Sequence, residues 1–169
     1  MHVQGGMVRS VSRALRAFPY MNVTGTIDAI LAQKSAKVWS VTPDATVYDA
    51  VALMAEKNVG ALLVVEKGEL VGIVSERDYT RKVMLRGKRS RDTQVREIMS
   101  TELTTVTPKE GIDDCLRFMT EKRIRHLPVV SNAEIRGVIS IGDLVKHVIS
   151  AQSAALDQLE RYISGGYTN

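Results

Sequence analysis

Apolar residues recur along this chain with two periods, and the whole pattern is written twice. Val47, Ala50, Val51 and Met54 fall at i, i+3, i+4 and i+7, the stripe of an amphipathic helix. Ile112, Cys115, Leu116 and Met119 draw the same stripe further on. Two short extended runs follow each helix. Residues 61–65 and 70–75 are joined across Lys67-Gly68-Glu69, and residues 126–130 and 135–140 across Asn132-Ala133-Glu134, both hairpin signals. A last helix starts after Ser75 and after Ser140. Tyr79, Val83 and Met84 face inward in the first, and Leu144, Val145, Val148 and Ile149 in the second. Ahead of each unit stand a short helix, over 26–33 or 93–99, and a short extended piece, over 38–41 or 103–106.

The two patterns are copies. Residues 41–78 align with 106–143 at a constant offset of 65 and without a gap. Val41-Thr42-Pro43 meets Val106-Thr107-Pro108, Met54 meets Met119, Gly72 meets Gly137, and Ser75 and Asp78 meet Ser140 and Asp143. Each unit is too small to bury its own apolar face. The expectation is a mixed α/β (α+β) chain of two pseudo-symmetric β-α-β-β-α repeats, with clefts where they meet. Thr46-Val47-Tyr48-Asp49 has capping-box spacing, and so has Thr107-Pro108-Lys109-Glu110 with proline at the first helical position. Pro128 cannot donate to a ladder, so its amide position should face an edge or an irregular contact. The chain divides into a basic extension over 1–22, repeats over 23–91 and 92–150, and a C-terminal helix and tail over 151–169. Leu156, Leu159 and Ile163 share a face of that helix, which makes it a candidate for dimer packing.

Composition narrows the class. A chain of 169 residues, 44% hydrophobic and 25% charged, is an ordinary globular protein with no run of about 18 apolar residues to cross a membrane. The single Cys115 cannot form an internal disulfide, which suits a reducing cytoplasm, and its aligned partner Ala50 marks a core position. The net charge of +4 is local. Arg9, Arg13 and Arg16 lie in the first 22 residues, and Arg81, Lys82, Arg86, Lys88, Arg89 and Arg91 between the copies. The leading segment reads equally as a transit peptide, a basic amphipathic helix or a start-site extension.

Chemistry concentrates in Gly-x-x-Ser-x-x-Asp, at Gly72, Ser75 and Asp78 and again at Gly137, Ser140 and Asp143. Each motif sits at a strand-to-helix junction. A serine N-cap with aspartate at N3 satisfies free amides at a helix start. The same carboxylate is short and rigid enough to accept both hydroxyls of a ribose, and both readings stand at this point.

With these residues in place, the span 38–149 resembles a pair of CBS (cystathionine-β-synthase) domains. The resemblance rests on the paired Thr-Pro…Asp…Met helices, the His-Leu-Pro-Val-Val strand at 126–130 and the two Ser-x-x-Asp motifs. It implies a compact disc with two clefts for adenosine compounds such as AMP, ADP, ATP, NAD or S-adenosylmethionine. Carried over by position, Asp78 and Asp143 hold ribose, with Ser75 and Ser140 beside them. Val41, Thr42, Val106 and Thr107 lie along the adenine. Val59, Gly60 and Ala61, and Arg123, Ile124, Arg125 and His126, face base or phosphate, and Lys122 and Arg123 reach phosphate oxygens. The first copy has Lys57-Asn58 where the second has Lys122-Arg123, and Arg77 has Gly142 as its counterpart, so the clefts should differ. The alternative for Arg123, Arg125 and His126 is a solvated turn, Arg81 and Lys82 read equally as phosphate ligands or a solvated face, and Trp39 reads first as core or interface filling and only second as an adenine stack.

The resemblance implies a stand-alone regulatory module that dimerises through helices and signals to a separate effector protein. No Walker loop, metal motif or serine elbow supports an enzyme. No aromatic residues interleave the basic clusters, which argues against single-strand binding; a nucleic-acid-binding accessory is the alternative reading, ahead of a nucleotide-using enzyme.

Overall fold

The computed structural model describes residues 25–34 and 37–165, with side chains to 163. In chain order the elements are α1 (Ile27–Gln33), β1 (Ser40–Val41), α2 (Val47–Lys57), β2 (Ala61–Glu66), β3 (Glu69–Ser75) and α3 (Glu76–Lys82) in the first copy. Two short 3-10 turns, Met84–Arg86 and Val95–Glu97, lead to α4 (Ile112–Lys122), β4 (His126–Ser131), β5 (Glu134–Ser140) and α5 (Ile141–Gly165). The mixed α+β architecture expected from the pattern is the one observed.

Each hairpin forms in the same register. Ala61 pairs with Ser75 and Glu66 with Glu69; His126 pairs with Ser140 and Ser131 with Glu134. Lys67 and Gly68, and Asn132 and Ala133, all have positive φ, as a two-residue turn twisted with its strands requires. β1 adds a parallel edge to β2, with Leu63 N–H donating to the Trp39 carbonyl at 3.2 Å. The position aligned with Leu63 is Pro128, which has no N–H to offer Thr104. The expected strand over 103–106 therefore shrinks to a single bridge between Val106 and Val129. The Pro128 carbonyl accepts from Val106 N–H at 3.0 Å, so the missing donor lies on that outer edge, as expected.

The opening segments are exchanged between copies. Ile27 and Ile30 of α1 lie in the core of the second copy, with Ile112, Met119, Leu127, Ile139 and Leu144. Val95 and Ile98, which precede the second copy, lie in the core of the first, with Val47, Met54, Leu62 and Val74. Backbone bonds fix both crossings. Ile27 and Asp28 donate to the Glu110 and Pro108 carbonyls, and Val47 and Val95 exchange bonds with Thr93 and Ala45.

This exchange corrects one helix start. The Thr107–Glu110 box does not open α4. The helix begins at Ile112 behind Gly111, without a side-chain cap, because residues 108–110 form a turn whose carbonyls serve α1. Thr46 does cap α2, its Oγ accepting from Asp49 N–H at 3.1 Å. The expected helix over 93–99 is only a 3-10 turn. Met84 is exposed because α3 ends at Lys82 and the following 3-10 turn swings it outward. Val145 and Ile149 are likewise exposed, while Leu144 and Val148 are buried. No glycine or proline interrupts residues 143–163, so the last helix and the tail helix are one element of 25 residues.

Candidate functional site

Two clefts lie between the copies, each built half from one and half from the other. Cleft 1, of about 460 Å³, takes Ser75, Arg77, Asp78, Arg81 and Lys82 from the first copy. Its opposite wall is Glu102, Leu103 and Thr104 together with Arg123, Ile124, Arg125 and His126 from the second. Cleft 2, of about 750 Å³, reverses the roles. Ser140 and Asp143 face Lys37, Val38 and Trp39 and the segment from Lys57 to Ala61, with Lys34, which follows α1, and Arg136 alongside. His126 lines both.

The Ser-x-x-Asp junctions are capping boxes in fact. Asp78 Oδ2 accepts from Ser75 N–H at 3.0 Å and from Ser75 Oγ at 2.6 Å, and Ser75 Oγ accepts from Asp78 N–H at 3.3 Å. Asp143 and Ser140 repeat the geometry at 2.7, 2.7 and 3.2 Å. The first helical amides are also engaged, Glu76 N–H with the Gly60 carbonyl and Ile141 N–H with the Arg125 carbonyl. These bonds tie each junction to the turn before the hairpin that flanks the other cleft. The aspartates differ in their second oxygen. Asp78 Oδ1 holds Lys82 Nζ at 2.8 Å, one helical turn on. At Asp143 the lysine is Lys34, just past the end of α1, and it shares Oδ2 at 2.6 Å. Among the described residues Asp143 Oδ1 has no hydrogen-bond partner.

Electrostatics follow the packing. Burial alone would raise the Asp143 pKa, but Lys34 and the two Ser140 donors outweigh it and hold the carboxyl below its ordinary value. Burial lowers the His126 pKa, and the neighbouring charges of Arg125 and Lys34 lower it further, so the ring is neutral near pH 7. Burial, then Glu110 and Asp114, push the Cys115 thiol up to about 12, which fits its place in the core.

Of the residues expected at the site, Ser75, Arg77, Asp78, Arg123, Ile124, Arg125 and His126 line cleft 1. Ser140, Asp143, Val59, Gly60 and Ala61 line cleft 2. Val41, Thr42, Val106, Thr107 and Lys122 line neither. Val106 is buried and Val41 packs on the first core, while Thr42 and Thr107 are exposed beside a turn. The cleft walls come instead from residues two or three positions earlier, where the chain enters each sheet. Lys122 stands behind cleft 1 and donates to Thr104 Oγ1 at 3.0 Å. Its counterpart Lys57 sits 4.6 Å over the Trp39 ring, which packs partly on the core and partly lines cleft 2. Lys34, Asp28 and Arg136 were missed because only the exchange of α1 brings the first two to cleft 2. Glu102 and Thr104 align with Lys37 and Trp39, and positions that differ between copies leave no repeat signature.

The basic run between the copies is divided among separate contacts. Arg81 and Lys82 line cleft 1, Lys88 pairs with Glu97 at 3.0 Å, Arg89 with Asp92 at 3.1 Å, and Arg91 lies 3.7 Å over the Tyr48 ring. Among the described residues no helix is long and apolar enough to cross a membrane. No group of three or more His, Cys, Asp or Glu is gathered there to hold a metal ion.

Comparison with known proteins identifies the pattern. The CBS domain family model matches residues 33–85 and 95–150. The mitochondrial CBS domain-containing protein CBSX3 of Arabidopsis thaliana is 46% identical over 135 residues, which cover 77% of this chain and 65% of the relative, just under two thirds of its length. The fold is similar to that of a CBS-domain protein from Burkholderia ambifaria, with a TM-score of 0.74 and 48% identity over 76% of this chain and 96% of the other. It is also similar to the CBS domain pair of protein MJ0100, solved with 5′-methylthioadenosine and S-adenosyl-L-methionine. There the TM-score is 0.66, and 22% identity over 76% of this chain and 98% of the other shows likeness of fold alone.

Proposed function

The chain belongs to the CBS domain family, and we propose that it is a regulatory module that reads adenosine-containing ligands in its two clefts. The carrying observation is the shared construction of each cleft, in which the Ser-x-x-Asp junction of one copy faces the opening segment of the other. A ligand that fills such a cleft touches both copies at once. It shifts their relative arrangement by as much as its affinity differs between arrangements. Both cavities fall within the roughly 300–1,000 Å³ range of small-molecule sites. The ligand class, drawn from AMP, ADP, ATP, NAD and S-adenosylmethionine, rests on family membership, and the MJ0100 pair carries two members of that chemistry. In this reading Asp78 and Asp143 receive ribose hydroxyls, displacing Lys82 and Lys34 toward phosphate.

The two clefts do different work. Cleft 1 gathers Arg77, Arg81, Arg123 and Arg125, and planar guanidinium groups match phosphate oxygens in pairs. Cleft 2 offers lysines and the Trp39 ring, which suits a base and a smaller anion. Cleft 1 should therefore prefer the more highly phosphorylated nucleotide. The signal passes to a separate effector in the cytoplasm rather than to chemistry on the ligand. A fluorescent fusion would test the compartment, since the Arabidopsis relative is mitochondrial.

Thermal shift and titration calorimetry with AMP, ADP, ATP, NAD and S-adenosylmethionine form the direct test. One of these should raise the melting temperature. Asp78→Ala and Asp143→Ala should each remove one binding event and weaken it by at least tenfold, about 1.4 kcal/mol. Two identical sites for one nucleotide would remove the claim of unequal clefts. Unchanged binding in both variants would sink the ribose assignment.

A further inference from the structure

α5 continues beyond the fold it belongs to. Leu144 and Val148 anchor its first turns in the second core, whereas every residue from Ile149 to Ile163 is exposed. The exposed length is patterned. Val145, Ile149, Gln152, Leu156, Leu159 and Ile163 are spaced alternately by four and three residues, the alternation of a coiled-coil seam. The five apolar members are 45–64% exposed, and nothing in the described fold covers them.

We propose that this seam is covered by the same seam of a second copy, running antiparallel. Ile149, Leu156 and Ile163 occupy a positions of the heptad, and Val145, Gln152 and Leu159 occupy d. One antiparallel register sets every a against a d. Val145 meets the partner's Ile163, Ile149 the partner's Leu159, and Gln152 the partner's Leu156, and the symmetry axis repeats each pair.

Charge selects the same register. Lys146 and Glu160 both occupy e, and in an antiparallel pair e faces e. Lys146 lies between the Val145 and Ile149 layers, and Glu160 between the Leu159 and Ile163 layers. The register that buries the apolar seam therefore brings each Lys146 to the partner's Glu160, twice per dimer. A parallel pair would set e against g. The g positions Val148, Ala155 and Tyr162 carry no charge, and Gln152 would meet itself. The overlap from Val145 to Ile163 is about 27 Å long at 1.5 Å per residue. So short a coiled coil is marginal when it must nucleate its own helix. Here the anchored first turns of α5 already supply the nucleus.

Size-exclusion chromatography with light scattering of the full chain, over a concentration series, tests the proposal. The chain should be a dimer. Leu156→Glu with Leu159→Glu should make it monomeric with an unchanged far-ultraviolet spectrum and melting profile at low concentration, since neither side chain touches a core. Lys146→Glu and Glu160→Lys should each weaken the dimer roughly tenfold, and the two together should restore it. Ser153→Cys lies at e beside the symmetry axis and should cross-link to itself under oxidation, which a parallel pair does not permit; the buried Cys115 does not compete. The proposal falls if the chain is monomeric throughout, if the dimer survives the double glutamate variant, or if the charge swap fails to restore it. A monomer that dimerises only after removal of residues 1–22 would show the leading segment to be the cover, and would equally overturn it.

Discussion

His126 is the residue through which the two clefts touch. It lines both, and its ring lies 3.5 Å from where a Cβ on Gly60 would stand. A methyl group at Gly60 would therefore rest against the ring in ordinary van der Waals contact. Burial, helped by Arg125 and Lys34, lowers the His126 pKa below 6.5 in the folded chain. The sign of the pH effect follows. Above the unfolded value of about 6.5 both states are neutral and the stability is fully present. As pH falls, the unfolded chain takes up its proton first, and stability is lost down through the folded value. Thermal melts between about pH 7.5 and 5 should show the wild type losing stability more steeply than His126→Gln. Parallel curves would show that the ring does not titrate differently on folding. Arg123 and Asn58 do related work at the other end of each turn, closing α4 and α2 in the left-handed conformation. That conformation aims residues 59–61 and 124–126 at the clefts.

Among the elements, the β3 and β5 strands show why the repeat keeps a glycine. A Cβ on Gly72 would stand 2.8 Å from Met99 Sδ and 3.1 Å from the Ser100 carbonyl. A Cβ on Gly137 would stand 2.6 Å from Leu31 Cδ2. Met99 and Leu31 belong to the exchanged opening segments, so both glycines exist to let those segments close on the sheet. The neighbours differ in kind. Leu31 presents the end of a flexible side chain, while Ser100 presents backbone held to Ile73 by two hydrogen bonds. Gly72→Ala should cost about 1–3 kcal/mol in chemical denaturation, and Gly137→Ala clearly less. Equal costs would mean that the backbone at Ser100 yields as easily as the Leu31 side chain. The shortened opening strand of the second copy belongs to this scale too: replacing Leu63 by proline at the aligned position removes one ladder donor, and a two-residue strand becomes one bridge.

For the whole molecule, the exchange makes each core depend on sequence from the other side of the repeat. Ile27 is fully buried, in the core of the second copy, although it precedes the first in sequence. Ile27→Ala should cost about 2–5 kcal/mol. Hydrogen exchange followed by mass spectrometry should then rise in β4 and β5 more than in β2 and β3. A larger rise in the first hairpin would mean that α1 serves the copy it precedes. The same interlocking positions the clefts, because Lys34 reaches Asp143 only from the end of an exchanged α1. A ligand that moves Lys34 off Asp143 therefore acts on a segment packed in the second core and continuous with the first. On the proposed function, that contact would be the route from cleft to interdomain arrangement.

The sequence by itself determined the elements, both hairpins and their turns, the buried faces of α2 and α4, and the positions of the two Ser-x-x-Asp junctions. These are local properties: a period of 3.6 or 2, a cap three residues from its partner, two residues able to take positive φ. It also carried the family, because ordered local signals at a fixed offset are themselves a long-range pattern. Only the tertiary structure decided that α1 and the Val95–Glu97 turn cross over and that α4 starts four residues late. It alone moved the opening wall of each cleft from Val41-Thr42 and Val106-Thr107 to the residues before them. Such features depend on contacts between segments some eighty residues apart, such as Ile27 and Glu110. No short window of sequence records the energy of a contact whose other half lies in a different window.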